Sequence, residues 1–129
     1  PTSTGAANAI GLVIPELDGK MDGMAMRVPV SDGSAVDLVL ELEKKVDVSL
    51  INKEFINNKN EVLDATYDPI VSSDVIGSTH GGVVDLSLTN VLNSDYGQLV
   101  KIVAWYDNEY GYSSQMVRCA KYFAELIKK

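Results

Sequence analysis

The residues from Val36 to Glu43 alternate without a break: Val36, Leu38, Leu40 and Leu42 fall on one side, and Asp37, Val39, Glu41 and Glu43 on the other. A period of two marks a half-buried strand, and its apolar face needs a second layer to cover it. Another alternating run lies just upstream, with Met24, Met26, Val28 and Val30 set against Ala25, Arg27 and Pro29. The turn cluster Ser31-Asp32-Gly33-Ser34 joins the two. A connection this short permits only an antiparallel pair, so a hairpin is predicted.

Helical spacing appears in three places. Ala6, Ala7, Ile10, Val13 and Ile14 follow Ser3-Thr4-Gly5, where Ser3 or Thr4 can cap, and Pro15 must end that helix. Val48, Ile51, Phe55 and Ile56 form a stripe that predicts a helix over 47–59. A last helix is expected from about Ser113, with Met116, Ala120, Phe123 and Ile127 on one face and Lys128 and Lys129 at the negative end of its dipole. Between the helices, strands are predicted over 61–66, 84–88 and 98–106, with a polar irregular stretch over 67–82 and a turn over 93–97. The 98–106 run is apolar on both faces except at Lys101, which suits a central strand. Together these elements predict an α+β fold: a mainly antiparallel sheet with helices packed on one face and a C-terminal helix, in a single domain over 1–129.

Composition narrows the function classes. The 129 residues carry 11 basic against 18 acidic side chains, a net charge of −7, which argues against a broad nucleic-acid or anionic-membrane surface. No apolar run approaches the ~20 residues that cross a bilayer, so no membrane insertion is expected. The one cysteine, Cys119, cannot form a disulfide within the chain, and a reducing, cytoplasmic setting is the simplest expectation. His80 is the only histidine and reads as a surface-loop residue, so a multi-histidine metal site is not expected. Cys119, between Arg118 and Ala120, reads as a packing residue. No evident nucleophile is found, and no glycine-rich dinucleotide fingerprint follows a strand. The chain opens on Pro1 rather than Met, a first hint of a piece of something longer.

Three places could bind a ligand. The helix start at Thr4-Gly5 offers backbone N–H donors, hydroxyls and close approach for an anion, although an ordinary cap is the commoner use of such residues. Arg27, the only positive charge between Met21 and Glu43, could hold a phosphate bidentately. An ion pair with Asp37 or Glu41 is the commoner outcome on residue type alone. In Trp105-Tyr106-Asp107-Asn108-Glu109-Tyr110-Gly111-Tyr112, Asn108 could read a carboxamide, since its side chain donates and accepts in one plane. The same residues equally make a plain turn edged by core aromatics.

Taken together, several strings resemble the phosphorylating glyceraldehyde-3-phosphate dehydrogenase family. They are Pro1-Thr2-Ser3-Thr4-Gly5-Ala6-Ala7, Val13-Ile14-Pro15-Glu16-Leu17-Asp18-Gly19-Lys20, Gly23-Met24-Ala25-Met26-Arg27-Val28-Pro29, Ser34-Ala35-Val36-Asp37-Leu38, Ile70-Val71-Ser72-Ser73-Asp74 and the Trp105–Tyr112 run. The resemblance runs the length of the chain in order. It implies the C-terminal portion of that enzyme's catalytic domain, without the cofactor domain or the segment bearing the catalytic cysteine and histidine. Cys119 and His80 do not match those catalytic positions. The parent implied is a cytoplasmic, glycolytic, NAD-dependent homotetramer from a bacterium-like source, oxidising and phosphorylating glyceraldehyde-3-phosphate with inorganic phosphate.

By the same resemblance, Thr4 and Gly5 match the inorganic-phosphate site, and Arg27 matches an arginine shared by the phosphates of substrate and phosphate ion. Asn108 matches the residue that bonds the nicotinamide carboxamide, and Tyr112 an aromatic near that ring. No catalytic or metal-binding residue is expected in this chain, NAD binding by the chain alone is doubtful, and the isolated chain is expected to be inactive. The family's last helix packs on the cofactor domain, so its apolar face here would be partly exposed and could promote association. The related erythrose-4-phosphate dehydrogenase shares most of these motifs. A standalone non-catalytic interaction module is the alternative of another class, disfavoured by the joint presence of Thr4, Arg27 and Asn108.

Overall fold

The fold is taken from a computed structural model that describes Pro1 to Lys128, with Asn8 described by its backbone alone. In chain order it contains β1 (Thr2–Ser3), α1 (Ala6–Val13), β2 (Met24–Ala25), β3 (Ser34–Glu41), α2 (Val48–Asn57), β4 (Leu63–Thr66), β5 (Gly82–Asp85), β6 (Asn90–Ser94), β7 (Gly97–Tyr106) and α3 (Tyr110–Ile127). Short 3₁₀ turns occupy Pro15–Leu17 and Ser72–Val75. The elements group into two compact units, one over Pro1–Ser31 and one from Asp32 onward.

In the first unit, β1 and β2 form a two-stranded antiparallel ladder, Thr2 opposite Ala25 and Ser3 opposite Met24. This corrects the predicted hairpin, since β2 is only two residues long and takes β1 as its partner. Its partner β1 is itself only two residues long, so the ladder extends no further. Pro29 has no N–H to give a ladder, and the chain folds there into a tight turn with Val30 N–H donating to the Val28 carbonyl at 2.9 Å. Ser3 belongs to β1 and does not cap α1, whereas Thr4 Oγ1 accepts from Ala6 N–H at 3.2 Å. At the other end, α1 stops at Val13 and Pro15 opens the 3₁₀ turn, as a residue without a donor dictates.

The second unit is an α+β fold built on a five-stranded, mostly antiparallel sheet. β7 is its central strand. From Leu99 to its end it pairs with β3, Ser34 opposite Tyr106 through Glu41 opposite Leu99. Its other edge is shared, β6 lying against its first half and β5 against its last residues. β4 adds to β5 in parallel, with Leu63 opposite Gly82 through Thr66 opposite Asp85. The predicted strand over 84–88 begins earlier and ends at Asp85, whose carboxylate accepts from both the N–H and the hydroxyl of Ser87 and turns the chain.

The expected turn over 93–97 is the tip of a hairpin whose first strand, β6, is absent from the sequence reading. Val91 and Leu92 are adjacent in a polar stretch, so no alternation announces it.

The core sits where α2 lies on this sheet. Ala65, Val84 and Leu86 are buried together, with Phe55 of α2, Leu63, Ile102 and Ala104 packed around them. The Asp47 carboxylate caps α2 by accepting from Leu50 N–H at 2.8 Å. α3 begins at Tyr110, three residues before the expected start. It is braced along the 78–81 segment: Gln115 and Arg118 both donate to the Thr79 carbonyl, at 3.1 and 2.7 Å. Gly111 lies so close to the His80 carbonyl that a Cβ there would approach it to 2.8 Å.

The predicted apolar face of α3 is exposed, Phe123 at 59% and Ile127 at 84%. Cys119 is exposed too, which corrects the packing role expected of it, because nothing among the described residues of this unit covers that stretch of α3. Lys128 stands at the C-cap of α3, and Lys129 lies outside the described residues.

Candidate functional site

In the first unit, Gly5 occupies the N-cap of α1 and Thr4 directly precedes it. The hydroxyl of Thr4 accepts from the Ala6 N–H, the first free donor of the helix. Gly5 has open space where a Cβ would stand, so the backbone there is accessible. Arg27 is exposed, two residues past the β1–β2 ladder, and no carboxylate of its unit pairs with it among the described residues. Thr4 leaves that ladder at its Met24 end and Arg27 leaves it at its Ala25 end. Asp37, one of the two carboxylates considered for Arg27, is bonded to Lys101 at 2.9 Å.

In the second unit, the link between β7 and α3 is built around Asp107. This residue is almost fully buried, at 2% exposure. Its Oδ2 accepts from Gly77 N–H at 2.8 Å, and its Oδ1 accepts from Glu109 and Tyr110 N–H at 2.9 and 2.6 Å. The Gly77 and Tyr110 donors, with that of Glu109, outweigh burial and hold the carboxyl below the ordinary aspartate range. Asp107 therefore ties the 76–77 segment to the start of α3 and fixes the turn that presents Asn108.

Asn108 itself is exposed. Its Oδ1 accepts from the Ser34 hydroxyl at 3.1 Å, so β3 and the β7–α3 turn meet at this side chain. The Nδ2 donors of Asn108 have no partner among the described hydrogen bonds, which leaves them able to donate to a hydrogen-bond acceptor. Tyr112 stands in the first turn of α3 with 68% of its surface exposed. A shallow open depression flanks the same turn, lined by Asp32, Gly77, Asp107, Glu109 and Tyr110 among others. Its carboxylates make it a poor place for an anion.

Asp107 and Ser34 were not among the site residues read from the sequence. Asp107 carried a usable signal, an aspartate just ahead of a helix. Ser34 carried none, since its partner is 74 residues away. Among the described residues, no cluster of histidine, cysteine and carboxylate side chains could hold a metal ion. No helix among them is long and apolar enough to cross a membrane.

Residues 1–108 match the family described as glyceraldehyde 3-phosphate dehydrogenase, C-terminal domain. The chain belongs to that family. Over 128 residues, 99% of its length, it is 52% identical to the glyceraldehyde-3-phosphate dehydrogenase of Streptococcus pyogenes. It is 52% identical over the same share of its length to the glyceraldehyde-3-phosphate dehydrogenase of Streptococcus dysgalactiae subsp. equisimilis. The chain spans 38% of the length of each. Within this glyceraldehyde-3-phosphate dehydrogenase C-terminal domain, the family match takes in Thr4, Gly5, Arg27 and Asn108 and ends before Tyr112.

Proposed function

We propose that this chain works as the C-terminal part of the catalytic domain of an NAD-dependent, phosphorylating glyceraldehyde-3-phosphate dehydrogenase. In that reading the assembled enzyme is a cytoplasmic homotetramer that converts glyceraldehyde-3-phosphate and inorganic phosphate to 1,3-bisphosphoglycerate in glycolysis. The chain contributes binding groups, while the nucleophile and general base come from outside these 129 residues, so the chain alone is inactive. Thr4 and Gly5 receive inorganic phosphate at the start of α1, where the free N–H groups and the helix dipole favour an anion. Arg27 supplies a guanidinium to the phosphates of substrate and phosphate ion, and its exposure and lack of a carboxylate partner in its own unit leave it available. Asn108 holds the nicotinamide carboxamide through its Nδ2 donors, and Tyr112 lies beside the ring. NAD, when bound, accepts the hydride; the residues of this chain orient it and the anions.

The observation that carries this reading is the family match through Asn108, joined to an Asn108 side chain whose donors are unengaged. The experiment places the chain in the Streptococcus pyogenes relative, in exchange for the stretch it matches. In this chimera, Arg27→Ala raises KM for phosphate roughly ten- to hundredfold, the range expected for a lost charge-assisted hydrogen bond. Asn108→Ala raises KM for NAD and leaves KM for phosphate unchanged. Unchanged constants in both variants contradict the assignment.

A further inference from the structure

We infer that Ser34 is a positioning residue for the nicotinamide end of the cofactor, acting through Asn108. This rests on the reading of Asn108 given above. A carboxamide side chain has two faces that differ only by rotation about its last bond, one oxygen acceptor and one amino donor. An exposed asparagine with no neighbour samples both, and a ligand that needs the donor then selects only part of the population. Here the Ser34 hydroxyl donates to Asn108 Oδ1 at 3.1 Å. That bond turns the oxygen toward Ser34 and leaves the Nδ2 hydrogens without a partner among the described hydrogen bonds, so the side chain is set to donate to an acceptor such as an amide carbonyl.

The placement of Ser34 is itself well determined. It opens β3 directly opposite Tyr106, the last residue of β7 and two residues before Asn108. Just before it, Gly33 is buried with φ of +87°, and a Cβ there would clash with the Ser72 carbonyl, so the backbone entering β3 is locked against the 72–75 turn. Asp107 fixes the other side of the contact through its three backbone donors. Two independently anchored backbones thus hold the hydroxyl and the amide in register.

Two measurements test the inference. In nuclear magnetic resonance of the full 129-residue chain, the Asn108 side-chain amide is expected to be ordered, and to become mobile in Ser34→Ala but not in Ser34→Thr, which keeps the hydroxyl. In calorimetric titration of the chimera with NAD, Ser34→Ala is expected to weaken binding roughly three- to tenfold, the range for one hydrogen bond, with Ser34→Thr restoring it and phosphate KM unmoved. If Asn108→Ala weakens NAD binding and Ser34→Ala does not, the role of Ser34 is overturned while the Asn108 reading stands. If Asn108→Ala leaves NAD binding unchanged, the reading beneath it fails. Equal losses in Ser34→Ala and Ser34→Thr, or a parallel loss toward phosphate, overturn the hydroxyl's role as well.

Discussion

Gly77 and Asp107, separated by 30 residues in sequence, are joined by a 2.8 Å hydrogen bond from the Gly77 N–H to Asp107 Oδ2. Through it, the loop after the 3₁₀ turn at Ser72–Val75 and the start of α3 share one buried carboxylate, and Asn108 is displayed next to that anchor.

This geometry sets a pH dependence. Three N–H donors favour the charged carboxylate, so Asp107 titrates below its unfolded value of about 3.9. The shift is downward, so its stabilisation is complete above the unfolded value and is lost as pH falls through the folded one. Asp64 acts in the same direction: burial alone would raise it, but the hydrogen bond from Lys59 and the Ala65 N–H lower it overall. Acid titration followed by circular dichroism should show stability falling below pH about 4. The fall should be shallower in Asp107→Asn, which is also less stable at neutral pH.

Gly33 should be nearly irreplaceable. Its φ of +87° and the clash of any added Cβ with the Ser72 carbonyl predict that Gly33→Ala costs about 2–4 kcal/mol in urea unfolding. Gly82→Ala, with nothing within 4 Å of its Cβ, is the control and should change stability by less than about 0.5 kcal/mol.

Arg118 reaches the Thr79 carbonyl at 2.7 Å and lies 3.7 Å from Glu61. Arg118→Ala should cost about 1 kcal/mol and leave Gln115 as the remaining donor to Thr79. The loss should be concentrated in the 78–81 segment and should appear as faster amide exchange at Gly81, whose N–H donates to the Val62 carbonyl.

Much of the second unit was legible because periodicity decides it. The alternation through β3, the two-faced apolar run of β7 and the Val48, Ile51, Phe55 and Ile56 stripe of α2 each announce their element. What was not legible depends on partners distant in sequence. β6 is a strand because it pairs with β7 across the Asp95-Tyr96 tip, from Ser94 opposite Gly97 to Asn90 opposite Lys101. The run after Ala25 alternates like a strand, yet Pro29 removes a donor and β1 claims the two residues that do pair.

The site divides in the same way. Asn108 could be singled out by residue type and resemblance, whereas Ser34 and the Gly77–Asp107 bond become visible only when the chain is folded. The early start of α3 follows from the Asp107 carboxylate, which accepts from the Glu109 and Tyr110 N–H groups.

The most direct test of the central claim is NAD reduction by the chimera in which this chain replaces the matching stretch of the Streptococcus pyogenes relative. The account predicts that the chimera forms NADH from glyceraldehyde-3-phosphate only when phosphate is present, and that the 129-residue chain alone forms none. A folded, tetrameric chimera without activity, or a chain active by itself, would contradict it.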